Sequence, residues 1–134
     1  MTGAPTQTAR CRCGALSASC AGEPVRISVC HCLECKARSG SAFAAQVRFP
    51  REQVTLRGQP SEWVFTGDSG SPTSFYSCPT CSTTLWFVNS AYADTIAIAL
   101  GNFEDPRWAT PRVSVYESRK LDWVDIVGDG IKRD

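Results

Sequence analysis

The sequence predicts a mainly β fold in a single domain, and three observations carry that prediction. Short runs alternate apolar and polar residues, no segment keeps a helical period over any length, and the cysteines arrive in spaced groups. At 134 residues, 43% hydrophobic and 20% charged, the chain can bury one core and is too apolar to stay disordered.

In chain order, residues 1–10 lack the basic head and apolar run of a secretory signal and read as a flexible N-terminal tail. The domain proper is expected over 11–126, with 127–134 as a C-terminal tail. Leu16, Ala18 and Cys20 share one strand face while Ser17 and Ser19 face the other way, which places Cys20 among core residues. Val25, Ile27 and Val29 alternate with Arg26 and Ser28 as a half-buried strand. Leu33 to Arg38 is the one helical turn expected near the cysteines. Further strands are marked by Trp63 and Phe65, by Phe75 on the approach to Cys78, by Leu85 and Phe87, by Ile96, Ile98 and Leu100, and by Val113 and Val115. Gly58-Gln59-Pro60, Thr66 to Pro72 and Glu104-Asp105-Pro106 carry the glycine and proline of tight reversals. The Thr66 to Pro72 stretch reads as a hairpin tip, with a substrate lid as the alternative.

The formal charge of +1 and pI near 7.5 disfavour a general nucleic-acid binder, which needs excess cations to neutralise phosphates. The apolar run around Ile96 to Leu100 falls well short of the roughly 20 residues that span a bilayer. A cytoplasmic location is therefore expected, where thiols stay reduced and eight cysteines are better read as metal ligands or reactive groups than as disulfides.

Those cysteines fall as Cys11-x-Cys13, a lone Cys20, Cys30-x-Cys32-x-x-Cys35 and Cys78-x-x-Cys81. A C-x-x-C turn lets two thiolates converge on one ion, and a second pair closes a tetrahedron, so Cys11, Cys13, Cys78 and Cys81 are expected to form a structural zinc site. Cys30, Cys32 and Cys35 supply three ligands and leave one corner open, which marks a catalytic zinc. Two residues stand close enough to fill that corner. Cys20 is expected in the core instead, as an inert thiol. His31 lies between two ligands on extended chain and is expected to project away from the metal, into a hydrogen-bonding or packing role.

Three thiolates against a dipositive ion leave about −1 net charge, which weakens activation of water. A thiol entering the open corner is deprotonated yet stays nucleophilic, so attack of a zinc-activated thiol on a small electrophile suits the site. Residues 1–40 hold five basic and two acidic side chains, residues 41–134 nine and eleven. Lys36 and Arg38, just past the triple, either balance the thiolates or hold the carboxylates of an acidic thiol. Glu34, between two ligands, is expected to be solvated.

The C-x-C start, the run Cys30-His31-Cys32-Leu33-Glu34-Cys35-Lys36-Ala37-Arg38-Ser39-Gly40, the run Phe75-Tyr76-Ser77-Cys78-Pro79-Thr80-Cys81, then Leu100 to Pro106 and Leu121 to Val124 resemble the glutathione-dependent formaldehyde-activating enzyme family, which includes centromere protein V. The resemblance runs from Cys11 to about Val124. It implies tent-like antiparallel sheets shared with the Rab-interacting zinc chaperone and methionine sulfoxide reductase B. It also implies a structural zinc at Cys11, Cys13, Cys78 and Cys81, and a catalytic zinc at Cys30, Cys32 and Cys35. The implied activity is a carbon–sulfur lyase reaction that joins formaldehyde and glutathione as S-hydroxymethylglutathione. The implied partners are a small thiol and an aldehyde. Ser82 departs from the family pattern, which has glycine after the last C-x-x-C, and a small strain is expected there. The alternative function is a non-catalytic zinc scaffold that binds a protein partner.

Overall fold

Eleven strands form in the computed structural model, which describes residues 5–134. They are β1 (Thr6–Arg10), β2 (Ser17–Ala21), β3 (Arg26–Cys30), β4 (Ala44–Pro50), β5 (Val54–Arg57), β6 (Ser61–Thr66), β7 (Pro72–Ser77), β8 (Thr84–Asn89), β9 (Thr95–Ala99), β10 (Val113–Val115) and β11 (Lys132–Arg133). One α-helix, α1 (Leu33–Ser39), joins β3 to β4. A three-stranded sheet has the order β1-β2-β5, and an eight-stranded sheet the order β11-β10-β3-β4-β9-β8-β7-β6. Pairing is antiparallel except that β10 runs parallel to both β3 and β11.

A single apolar cluster joins the sheets. Leu16, Ala18 and Cys20 pack with Ile27, Val47, Phe49, Ile96 and Ile98, all essentially without solvent contact. Truncating a ring such as Phe49 to alanine costs about 3–5 kcal/mol at a site packed this closely. The register puts the opposite side chains of the large sheet, Cys30, Ser28, Gln46, Arg48, Phe87, Phe75 and Trp63, on one second face. That face is where the site forms.

Each strand read from alternation is present, and the Thr66 to Pro72 stretch is the tip of the β6–β7 hairpin. Several strands differ from a half-buried pattern: β6 is exposed almost throughout, Val25 lies exposed just before β3, and Ile96, Ala97 and Ile98 of β9 are all buried. Ile27, Ser28, Val29 and Cys30 are all buried, as are Leu85, Trp86 and Phe87, because the second face of the large sheet is covered as well. Leu100 lies just past β9, in a 3-10 turn.

Both expected tails need correction. Thr6–Arg10 is a strand in register with β2, its Ala9 fully buried, and Ala9 also bridges to Phe103. Its one core side chain is an alanine among polar neighbours, so alternation marks it faintly. Residues 1–4 of that tail lie outside the described residues. The expected C-terminal tail returns to the sheet as β11, with the Asp134 amide donating to the Ser114 carbonyl at 2.9 Å. Among the described residues no helix is long and apolar enough to cross a membrane.

Candidate functional site

Cys11 and Cys13 stand in the turn from β1 to β2, and Cys78 and Cys81 in the turn from β7 to β8, so the fold brings together residues 65 and more positions apart. Their four sulfurs lie within 4.8 Å of one another, with Cys11 Sγ to Cys13 Sγ at 3.8 Å and Cys13 Sγ to Cys78 Sγ at 3.6 Å. A zinc–sulfur bond of about 2.3 Å sets the edges of a regular tetrahedron at about 3.8 Å, so the four thiols fit a zinc ion.

Backbone amides serve the same sulfurs. Leu16 N–H donates to Cys11 Sγ at 3.2 Å, and Thr80 and Cys81 N–H donate to Cys78 Sγ at 3.4 and 3.5 Å. Such donors stabilise thiolate over thiol. The Thr83 hydroxyl and amide, with the Cys13 amide, pull the Cys81 thiol down to about 5. Thr83 Oγ1 also accepts from the Arg12 amide at 3.3 Å, which ties one turn to the other.

The second cluster is assembled from six consecutive residues. Cys30 ends β3 and is buried; Cys32 caps the N-terminus of α1, accepting the Cys35 amide at 3.3 Å; Cys35 sits in the first turn. Cys32 and Cys35 keep solvent access. The three sulfurs lie within 4.8 Å of one another, and no fourth Cys, His, Asp or Glu of the described residues joins them. A hydrogen bond from the Cys35 thiol holds Cys30 below its ordinary value and correspondingly raises Cys35. A cation held among the three sulfurs would displace their protons, which couples metal binding at this cluster to pH.

Neither candidate for the fourth corner takes it. Cys20 is fully buried in the core, and desolvation pushes its thiol up to about 12. His31 turns away and is also fully buried, its Nε2 3.0 Å from Ser114 Oγ. The one Ser114 hydroxyl proton goes to Glu117 Oε2 at 2.5 Å, so His31 must donate through Nε2–H. Burial lowers the His31 pKa against the opposing attraction of Glu117. His31 therefore packs and hydrogen-bonds behind the cysteines. Glu34 is exposed on α1.

Residues 6–119 match the family model described as glutathione-dependent formaldehyde-activating enzyme. The chain belongs to that family. Among curated proteins none gives a significant match. The crystal structure of a Rhodobacter sphaeroides protein superposes with a TM-score of 0.57 at 17% identity, covering 75% of this chain and 92% of that one, which shows a shared fold.

In this formaldehyde-activating family member, Ser82 takes φ 68°, the left-handed conformation expected where the family has glycine, and its amide donates to the Cys78 carbonyl at 2.8 Å. Lys36 and Arg38 diverge. Lys36 Nζ donates to the Arg119 carbonyl at 2.5 Å, tethering α1 to the segment after β10. Arg38 instead lies over the second face of the large sheet, its guanidinium 4.8 Å from the Phe87 centroid and 5.7 Å from that of Phe75.

Strand β4, whose Gln46 and Arg48 share this face with Cys30, is not among the strands expected from the sequence. The alternation of Val47 and Phe49 with Gln46 and Arg48 was the signal available for it. A cleft of about 440 Å³ lined by Arg10, Arg12, Asn102 and Glu104 borders the four-cysteine cluster, away from the triple.

Proposed function

We propose that this chain is a zinc-dependent carbon–sulfur lyase of the glutathione-dependent formaldehyde-activating type, with a structural zinc at Cys11, Cys13, Cys78 and Cys81 and a catalytic zinc at Cys30, Cys32 and Cys35. The observation that carries the reading is the three-sulfur cluster, with no fourth ligand among the described residues and two partly exposed members, in a chain of this family. A zinc ion held by Cys30, Cys32 and Cys35 would acidify a thiol, glutathione or a relative, bound beside them. Cys30, Cys32 and Cys35 set the point to which that sulfur is drawn, and α1 fixes two of the three through its capped first turn. Arg38 places positive charge beside it, while Lys36 is spent on the Arg119 carbonyl.

In the reaction the thiol sulfur forms a bond to the aldehyde carbon. The carbonyl π pair moves to oxygen, which takes a proton from solvent in place of the one the thiol released, and nothing is oxidised or reduced. The uncatalysed addition is already facile, so the chain supplies thiolate formation and proximity. No carboxylate or imidazole among the described residues is needed as a base: His31 is turned away, and Glu34 is solvated.

The test follows S-hydroxymethylglutathione formation from formaldehyde and glutathione with the wild type and Cys32→Ala. Formation above background, abolished by the substitution, is expected; equal rates for both proteins would end the assignment. X-ray absorption on zinc-loaded protein separates the lyase from a scaffold. A sulfur neighbour gained at one zinc on adding glutathione supports the lyase, and two already saturated sites support the scaffold.

A further inference from the structure

The three sulfurs of the open cluster are held together unequally. Cys32 and Cys35 share the capped first turn of α1, which fixes one against the other. Cys30 and Cys32 are joined only through His31, and residues two apart on extended chain stand roughly 6.5 Å apart along the backbone. Their sulfurs nevertheless lie within 4.8 Å of each other. With three ligands in place of four, the hold on an ion depends on that convergence being set before the ion arrives.

His31 is pinned from behind by the C-terminal part of the chain. Its amide donates to the Val115 carbonyl at 3.1 Å, and its ring, shut away from solvent, donates through Nε2–H to Ser114 Oγ at 3.0 Å. Ser114 donates in turn to Glu117, whose carboxylate also accepts from Arg133 Nη1 at 3.3 Å. Strand β11 closes the far end: the Asp134 amide donates to the Ser114 carbonyl at 2.9 Å, the Glu117 amide to the Asp134 carbonyl at 3.2 Å, and Arg133 Nη2 to the Ile126 carbonyl. Tyr116, which turns the chain so that Glu117 comes back to Ser114, takes φ 56°, a left-handed conformation that a tyrosine adopts only where its surroundings impose it. The same segment catches α1 as well, through Lys36 Nζ and the Arg119 carbonyl.

We propose that Ser114, Glu117 and Arg133 are positioning residues for the open cluster: acting through His31, they hold Cys30 against Cys32, so that the last strand of the chain sets how tightly the three sulfurs keep a metal ion. The clamp rests on the reading of the triple as a metal centre. It acts through the His31 backbone, since the ring turns away from the sulfurs. Loosening it frees Cys30 to move relative to α1 and leaves the four-cysteine cluster, built from other turns, as it was. A centre that exchanges its fourth ligand needs such a hold, because an entering thiol competes with the protein for the ion.

The probe is cobalt(II), whose absorption reports the thiolates bound to it and their geometry. The full chain is titrated with cobalt(II) and then challenged with a chelator, and Cys32→Ala, which lacks the open cluster, assigns the two sets of bands. The wild type is expected to take up two ions. Glu117→Ala and Arg133→Met should each weaken binding at the open cluster about tenfold, shift its absorption and leave the closed cluster unchanged. Arg133→Lys, which keeps a cation toward Glu117, should stay within about twofold of wild type. Equal weakening of both clusters, as a general loss of stability would give, or an open cluster that does not respond, would overturn the clamp. Both replaced side chains keep solvent contact, and if one variant fails to fold the other reads the same hydrogen-bond chain. Failure of both to fold would mark a role in the fold at large and overturn it too. One ion per wild-type chain would end the catalytic-metal reading and the clamp with it; two ions, with the second indifferent to Glu117 and Arg133, would end the clamp alone.

Discussion

The four-cysteine and three-cysteine clusters place the same ligand atom in opposite settings. In the first, two turns from distant parts of the chain meet, amides from Leu16, Thr80 and Cys81 serve the sulfurs, and every corner of a tetrahedron is filled from within the protein. In the second, six consecutive residues at the end of β3 and the start of α1 provide three corners only, and Cys32 and Cys35 are only partly buried. A site that closes a long loop stabilises the fold, whereas one built locally adds little chain constraint and is free to exchange a ligand. The difference lies in which segments the ligands join, and it can be broken by substitution.

The largest effect is expected from the closed cluster. Cys78→Ser, or removal of its metal by a strong chelator, should abolish cooperative folding, since binding at such sites contributes about 10 kcal/mol or more. Circular dichroism with zinc stoichiometry checks this. If Cys78→Ser retained a wild-type melting curve, the structural assignment would be withdrawn. Cys32→Ala, by contrast, should keep a two-state melt within a few degrees of wild type while losing thiol–aldehyde turnover. Unfolding of this variant would erase the distinction between the clusters.

Smaller effects sharpen it. Ser114→Ala leaves the buried Nε2–H of His31 unpaired and should cost about 1–3 kcal/mol, read by denaturant unfolding. The Ser114 hydrogen bond holds the Glu117 pKa below its ordinary 4.5. The stability from that contact is therefore complete above pH 4.5 and lost as pH falls through the lower folded-state value. Relative to Ser114→Ala, the wild type should lose stability faster on that acid limb, and parallel pH profiles would contradict the contact. Ser82→Gly relieves a left-handed serine and should stabilise the chain by about 0.5–1 kcal/mol, again by denaturant unfolding. Smallest of all, Cys20 should resist alkylation in the native protein at pH 8 while Cys32 in the metal-free protein reacts. A thiol pushed up to about 12 and shut in the core has almost no thiolate at that pH.

Much of this was legible in residue order. The grouping of the cysteines separates four ligands from three, the parity of Leu16, Ala18 and Cys20 places that thiol in the core, and extended chain at Cys30 to Cys32 turns His31 away from the sulfurs. The left-handed angle at Ser82 follows from the knuckle geometry that a glycine ordinarily serves. Strands such as β6 and β9 were visible because apolar side chains recur at period two. The edge strands β1 and β11 were not, since one carries a single alanine into the core and the other only Lys132 and Arg133.

What the sequence by itself determined is therefore the chemistry: thiolate donors, their division into a closed and an open set, and a mainly β frame to carry them. Spacing dictates which ligands can meet one ion, and ligand type dictates what that ion does. What only the tertiary structure decided is the neighbourhood of the open set. Arg48 and Gln46 sit 13 and 11 positions beyond Cys35 and come beside Arg38 and Phe87 only through the register of β3, β4, β9 and β8. A strand's period says which side chains share a face, but only the order of strands in the sheet says which faces become one surface.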